Sequence, residues 1–310
     1  MSKQKLLTLC VPTYNRSAHL EEQLKRLSTM PSELWRDISV FVSDNCSTDN
    51  TETIARHYSS FPNTDIIYSR NDSNLGMDGN FVKCFTSATS KYVWLLGDDD
   101  YIEIDKLPFI LKLLKETNCG VCHLGMNRLD KEDYCLYDNV ELFIKEIAIW
   151  ISYISSNIVQ TKYVLTIDFE KYYGSYFTLI PLYLTAMIKE PQNVMINIRV
   201  FDDAKDYQRN GGYNIAQVFV KNYLSIFEEF VQKGLFSKDI LEFEKETAFN
   251  FSIPLIIDYV LLRHPSNYMR KNTWPIIFKY YGFSKPIMKC INILSNKAVG
   301  RFVRLFKNFN

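Results

Sequence analysis

The sequence predicts an α/β protein, a mostly parallel sheet flanked by helices and followed by a helical, basic C-terminal extension. Three observations predict it. Short apolar runs alternate with helix-period segments through the first 124 residues, the pattern of strand–helix–strand units that build parallel sheets. Hydrophobic residues make up 47% and aromatic residues 15% of the 310, enough for a buried core, which excludes a disordered chain. Charge is divided along the chain. From Tyr259 to Asn310 there are ten Lys or Arg and no Asp or Glu, leaving 26 basic against 35 acidic residues before them, a net of −9. Such asymmetry points to an anionic partner for the basic part.

The elements follow in order. Leu6 to Val11 is a β-rich apolar run stopped by Pro12, suited to a strand buried on both faces. Leu20, Leu24 and Leu27 recur at helical spacing, with Ser17 as N-cap and Pro31 beyond the end. Ile38 to Val42 is a second strand, Asp49 to Tyr58 a helix, Asp65 to Tyr68 a third strand and Gly79 to Thr89 another helix. Tyr92 to Leu96 is a fourth strand, ending at Gly97; Leu107 to Glu116 is helical and Gly120 to Leu124 a further strand. From Leu142 to about Val200 the pattern is mixed, with Ile144 to Ile154 apolar and expected against the sheet. Asp206 to Gly212 reads as a linker, dividing a domain at 1–205 from a helical region at 206–310 in which Val218 to Val231 and Leu241 to Leu262 are helices.

No run reaches the roughly 18 apolar residues of a membrane span, and the N-terminus leads straight into a strand rather than a signal peptide. Seven scattered cysteines are too few for a disulfide scaffold, so the expected compartment is the reducing cytoplasm. Cys119-Gly120-Val121-Cys122-His123 matches a haem-attachment pattern. Attachment needs export, however, and strand alternation would point the two sulfurs apart. Buried structural cysteines are expected.

Polar clusters stand where the strands end, the place where ligands bind in such sheets. Gly97-Asp98-Asp99-Asp100 sets three carboxylates together after a buried strand. Like charges this close repel unless a cation joins them, and Mg²⁺ or Mn²⁺, which takes oxygen ligands and shares them with phosphates, suits the triplet. Ser43-Asp44-Asn45-Cys46-Ser47-Thr48-Asp49 follows the second strand; an acid there can accept hydrogen bonds from a base or ribose. Pro12-Thr13-Tyr14-Asn15 follows the first strand, and Arg70 to Asn80 is a polar loop whose glycines admit close approach to a ligand.

Pro12-Thr13-Tyr14-Asn15-Arg16, Asp44-Asn45-x-Ser47-x-Asp49, Asn74-x-Gly76 with Asn80, and the aspartates at 98–100 resemble, in that order, the family 2 glycosyltransferases. The resemblance covers roughly residues 5 to 200. It implies the GT-A fold and an inverting, metal-dependent transfer of sugar from a nucleoside diphosphate donor, uridine being the commonest base. It places Pro12, Thr13, Tyr14, Asn15, Asp44, Asn74, Gly76, Asn80, Asp98 and Asp99 at the donor, with Asp44 on the base. It gives the metal to Asp98, Asp99 and Asp100. Asn74-Leu75-Gly76-x-Asp78-Gly79-Asn80 with Gly97-Asp98-Asp99-Asp100 resembles the abequosyltransferase-like group of O-antigen enzymes.

The sequence departs from that pattern twice. Gly97 stands where many members have aspartate, so either Asp98 with Asp100 or Asp99 with Asp100 coordinates the metal. Where the family carries a Glu-Asp pair, its Asp the general base, Tyr173 to Thr178 holds no carboxylate. Transfer needs the acceptor hydroxyl deprotonated, and Asp168, Glu170, Asp202 and Asp203 are the candidates. Two other classes compete. A nucleotidyltransferase would need a glycine-rich basic loop after the first strand, which is not there; a non-catalytic nucleotide-sugar-binding module would explain the missing base.

Lys285 to Asn310 puts Ile287, Ile291, Leu294, Ala298, Phe302 and Leu305 on one helical face, with Lys289, Lys297, Arg301, Arg304 and Lys307 mostly on the others. A basic amphipathic helix lies in an anionic membrane surface. The expectation is peripheral attachment to the inner face of the cell membrane and a lipid-linked glycan acceptor, with no nucleic-acid partner. The competing reading packs this helix on the acidic body.

Overall fold

The computed structural model describes residues 4–125, 132–202 and 212–307, the stretch 297–307 by backbone alone. The chain divides into two compact units, Met1–Asp206 and Tyr207–Asn310. The first unit runs β1 (Leu7–Thr13), α1 (Ser17–Ser28), β2 (Ile38–Asp44), α2 (Thr51–Ser59), β3 (Ile66–Arg70), α3 (Gly76–Ser87), β4 (Tyr92–Leu95), α4 (Leu107–Thr117) and β5 (Val121–Leu124). It continues with β6 (Tyr134–Tyr137), α5 (Val140–Ile147), β7 (Asn157–Gln160), α6 (Ile180–Lys189) and β8 (Asn193–Ile196).

The eight described strands form one sheet in the order β3-β2-β1-β4-β7-β5-β8-β6. The β1–β2, β2–β3, β1–β4 and β5–β8 pairs are parallel. β7 runs antiparallel between β4 and β5, and β6 antiparallel to β8 at the edge. Every residue of β1 and β2 is buried, because helices cover both faces. Leu7, Leu9 and Val11 join one core with Leu20, Leu24 and Leu27 of α1, Ala55 of α2 and Ile110 of α4. On the other face the Cys10 thiol meets the Cys84 carbonyl of α3 at 3.3 Å. Alternation along β1 therefore feeds two helical layers.

Two local expectations need correction, and a third lies outside the described residues. Ser17 does not cap α1 but begins it, giving its backbone N–H to Asp49 Oδ2 at 3.0 Å. Cys119 and Cys122 are both buried, as expected, but their thiols interact, Cys122 being the main cause that lowers the Cys119 thiol. Cys119 precedes β5, so strand alternation does not separate the two sulfurs. The linker expected at 206–212 falls, except for Gly212, outside the described residues, as does Asp203.

The second unit is helical: a wide π-type turn at Gln217–Asn222 leads into α7 (Tyr223–Gln232), then α8 (Lys238–Ile256), α9 (Thr273–Tyr281) and α10 (Ser284–Lys307). Pro254 stands inside α8 and a second π-type stretch, Ile257–Leu261, follows it. Proline supplies no N–H to the ladder, and the widened turn comes next in the chain. Among the described residues no helix is long and apolar enough to cross a membrane.

Candidate active site

Winding switches direction beside β1: the chain builds β2 and β3 on one side and returns to β4 on the other. A doubly wound sheet opens a crevice beyond the strand ends at such a point. There the ends of β1 and β4, the loop after β2 and the first turn of α3 enclose a cavity of about 380 Å³. Pro12, Thr13 and Tyr14 line it from β1, Asn74, Gly76 and Asn80 from the α3 side, and Asp98 and Asp99 from the β4 side. Eight of the ten donor residues expected from sequence thus meet at one cavity. Arg16, Asn45, Met77, Phe81, Gly97 and Ile154 also line it, and no role had been read for them. For Arg16 and Asn45 the signal was membership of the same polar clusters.

Asn15 and Asp44 lie outside that lining. Asn15, held at φ 52°, ties two loops together: its Oδ1 accepts the Thr48 N–H at 2.7 Å and its own N–H donates to Ser47 Oγ at 2.9 Å. Asp44, expected to touch the base, is wholly enclosed. Its Oδ1 accepts the Ser47 N–H at 2.9 Å and its Oδ2 the Tyr68 hydroxyl at 2.7 Å. Asn45 reaches the cavity instead. Its Nδ2 donates to Asn74 Oδ1 at 2.8 Å and the Gly76 carbonyl at 3.1 Å, while its Oδ1 accepts the Leu75 N–H at 2.8 Å. Asn80 Oδ1 accepts from Ser43 Oγ at 2.7 Å and Asn71 Nδ2 at 3.0 Å. These amides brace the loop that carries Gly76.

The three aspartates take different partners. Asp98 is buried, accepts the Thr13 hydroxyl at 2.8 Å, and lies 3.0 Å from Arg16 Nε. That nitrogen makes an ion pair but is misaligned for a hydrogen bond. Arg16 also pairs with Asp99, whose side chain is 46% exposed. Burial pushes the Asp98 carboxyl up to about 7, against the opposing pull of Arg16 and the Thr13 hydroxyl. Burial also works against the Arg16 charge, yet Asp98 and then Asp99 hold it above its ordinary value. Asp100 turns away to accept the Ser155 and Tyr153 hydroxyls, both at 2.5 Å. Burial raises its carboxyl in spite of those two donors.

This accounts for Gly97. A Cβ there would stand 2.6 Å from Asp100 Oδ2, so an aspartate cannot occupy position 97 while Asp100 holds that place. Among the described residues no group of three or more His, Cys, Asp or Glu is arranged to hold a metal ion, because Asp100 has left the other two. Asp98 and Asp99 nonetheless present hard oxygen atoms at the cavity wall. Two carboxylates suffice for a divalent cation that takes its remaining ligands from phosphate and water. The donor set fits in that reduced form.

None of the described base candidates lines the cavity. Asp168 and Glu170 are exposed. Asp202 is paired with Arg26 at 3.0 Å and Arg199 at 3.6 Å.

A switch-point cavity with paired carboxylates on a mostly parallel, helix-covered sheet is the architecture of the GT-A class. Residues 8–168 match the family described as glycosyl transferase family 2, and the chain belongs to that family. It is 34% identical to the abequosyltransferase RfbV of Salmonella typhimurium over 189 residues, 54% of this chain and 56% of that protein. An uncharacterised glycosyltransferase of Mycoplasma pneumoniae is 32% identical over 97 residues, 31% of this chain and 32% of that one. The chain thus spans about half the length of the first relative and a third of the second. Among solved structures, S. aureus TarS in complex with UDP-GlcNAc matches with a TM-score of 0.64 and 16% identity, over 89% of this chain and 79% of that one. The mannosyltransferase PcManGT from Pyrobaculum calidifontis, in complex with GDP-Man and Mn²⁺, matches with a TM-score of 0.56 and 13% identity, over 94% and 84%. At those identities the likeness is one of fold.

Proposed function

We propose that this protein transfers a sugar, with inversion, from a UDP-sugar to a hydroxyl of a lipid-linked glycan during cell-surface polysaccharide synthesis. The observation that carries the reading is the cavity at the β1–β4 switch point, where Asp98 and Asp99 face the space and Arg16 balances their charge. Support for the donor class comes from the UDP-GlcNAc bound by TarS, and for the glycan class from the sugar transfer named for RfbV. Tyr14, 42% exposed in the cavity wall, is the aromatic ring on which the base would stack. The Asn45–Asn74 amide pair holds the Gly76 backbone where a ligand can approach it closely. Asp98 and Asp99 would hold Mg²⁺ or Mn²⁺, which supplies Lewis-acid neutralisation of the diphosphate leaving group. Arg16 is the chain's own cation beside that group.

The test is incubation with a panel of nucleotide sugars and lipid-linked acceptors. Release of nucleoside diphosphate together with a glycosylated product is the expected result. Release of pyrophosphate would make the protein a nucleotidyltransferase, and binding without turnover would make it a binding module; either outcome overturns the reading.

The lipid-linked acceptor rests on α10. Its stripe residues Ile287 and Ile291 are 47% and 57% exposed, beside exposed Phe283 and Met288. The opposite side packs within the helical unit, with Lys285 paired to Glu246 and Lys289 Nζ donating to Asn250 Oδ1 at 3.0 Å, and Cys290 is buried at the edge of the stripe. One face of this helix packs, as the competing reading expects, while Ile287 and Ile291 of the stripe are exposed. Leu294 is partly buried, and the side chains of Lys297, Ala298, Arg301, Phe302, Arg304, Leu305 and Lys307 lie outside the described residues. The full chain is expected to float with anionic liposomes at low salt and to be released as salt rises. An Ile287→Glu/Ile291→Glu variant should stay in solution. Equal flotation of the two would remove the stripe from the account.

A further inference from the structure

Resting on the proposed transfer, we infer that Asp78 is the general base that deprotonates the acceptor hydroxyl. The aspartates at 98–100 and the base candidate Asp202 are committed. Asp98 and Asp99 are bound to Arg16, Asp100 is turned onto Ser155 and Tyr153, and Asp202 is held by Arg26 and Arg199. Asp78 differs from all of them. It is partly exposed, and among the described residues it has no Lys, Arg or His partner within ion-pair reach. Asp78 stands just outside the lining, turned toward Gly174 and Thr178, but its neighbours along the first turns of α3, Gly76, Met77 and Asn80, line the cavity. Each oxygen accepts one neutral donor: Oδ2 takes the Gly174 N–H at 2.7 Å and Oδ1 the Thr178 hydroxyl at 2.5 Å. An ionised carboxylate has about four acceptor positions, so a fixed carboxylate keeps room for one more proton donor.

The position is as telling as the partners. Tyr173 to Thr178 contains no carboxylate of its own, and the fold brings one to it from a different element. The same segment is constrained. Tyr176 sits at φ 69°, a left-handed conformation that a bulky non-glycine residue adopts only when its surroundings impose it. Tyr173 and Tyr176 are 48% and 41% exposed, two amphipathic rings in the segment that holds Asp78, which suit the mixed polar and apolar faces of a sugar. The acceptor class that fits is therefore a glycan hydroxyl lying over these tyrosines. In the step, the hydroxyl proton passes to Asp78 and the hydroxyl oxygen forms the new bond to the anomeric carbon. The bond from that carbon to the diphosphate breaks, and its electron pair leaves with the nucleoside diphosphate.

The test compares the full-length wild type with Asp78→Asn, Asp78→Ala and Thr178→Val. UDP affinity is read by calorimetry and UDP release is followed across a panel of UDP-sugars with lipid-linked acceptors. Both Asp78 variants should bind UDP within about twofold of wild type and lose transfer by 10²- to 10⁴-fold, the range for a positioned base. Thr178→Val removes a tether but leaves the carboxylate, and should keep transfer within about tenfold. Sodium azide discriminates further. Azide is a nucleophile with no proton to remove, so it should restore UDP release by Asp78→Ala and yield a glycosyl azide. Asp78 variants as active as wild type would overturn the inference alone, as would an equal loss in Thr178→Val without azide rescue. A wild type that releases no UDP from any donor would overturn the proposed function, and this assignment with it.

Discussion

Replacing Asp99 by asparagine is expected to lower sugar transfer by about 10²- to 10³-fold, the effect of losing one group that stabilises transition-state charge. Its side chain is 46% exposed and its partner Arg16 keeps a second carboxylate in Asp98, so folding stability should change by less than about 1 kcal/mol. Chelation of divalent cations from the wild type should match that loss, and Mn²⁺ should reverse it. Asp100→Asn should behave differently. That carboxylate accepts the Ser155 hydroxyl, and Ser155 Oγ in turn accepts the Gly97 N–H at 2.8 Å. Weakening a largely buried hydrogen-bonded group of this kind costs about 1–3 kcal/mol, so thermal denaturation should detect it before kinetics do. Transfer that survives both Asp99→Asn and chelation would remove the metal from the account.

The second large effect lies in the helical unit. Glu244 of α8 is wholly buried; its Oε2 accepts the Tyr223 hydroxyl at 2.7 Å, and its Oε1 has no hydrogen-bond partner. Burial pushes its carboxyl up to about 8, against the opposing Tyr223 hydrogen bond. The folded value lies above the unfolded one, so the folded chain holds an extra proton between about pH 4.5 and 8. Stability from this group is complete below 4.5 and is lost as pH rises through 8. At roughly 1.4 kcal/mol for each pH unit between the two values, the loss is on the order of 5 kcal/mol. Glu244→Gln keeps the shape without the charge and should be more stable than wild type at pH 9 while matching it closely at pH 4. Urea denaturation followed by circular dichroism at the two pH values measures this. Wild-type stability that stays flat relative to the variant across that range would contradict it.

The first half of the first unit was legible because β1, β2, β4 and β5 are uninterrupted buried runs and the helices between them show a 3.6-residue period. Beyond residue 124 the signal fails for physical reasons. β6, β7 and β8 are no shorter than β4 and β5, but β6 is half exposed, β7 is bounded by Asn157 and Gln160, and β8 opens on Asn193, so no buried apolar run spans any of them. The antiparallel insertion of β7 between β4 and β5 depends on pairing over more than thirty residues, with Trp94 Nε1 donating to the Ser155 carbonyl at 2.8 Å. No local pattern encodes such a contact. At the site, residue types and order announced the cavity, but side-chain direction did not follow from them. Asp44 and Asn45 are adjacent polar residues, yet one is enclosed behind Tyr68 and the other lines the space. Asp78 went unread as a base because only the fold joins it to Gly174 and Thr178, about a hundred residues away.

The β1–β4 cavity is expected to hold the nucleoside diphosphate of the donor. Calorimetric titration of UDP into the full chain with Mn²⁺ present tests it most directly. Saturable binding to one site, weakened at least tenfold in Asp99→Asn, is the expected result. Heats that never saturate in the wild type, or equal affinity in wild type and variant, would contradict it.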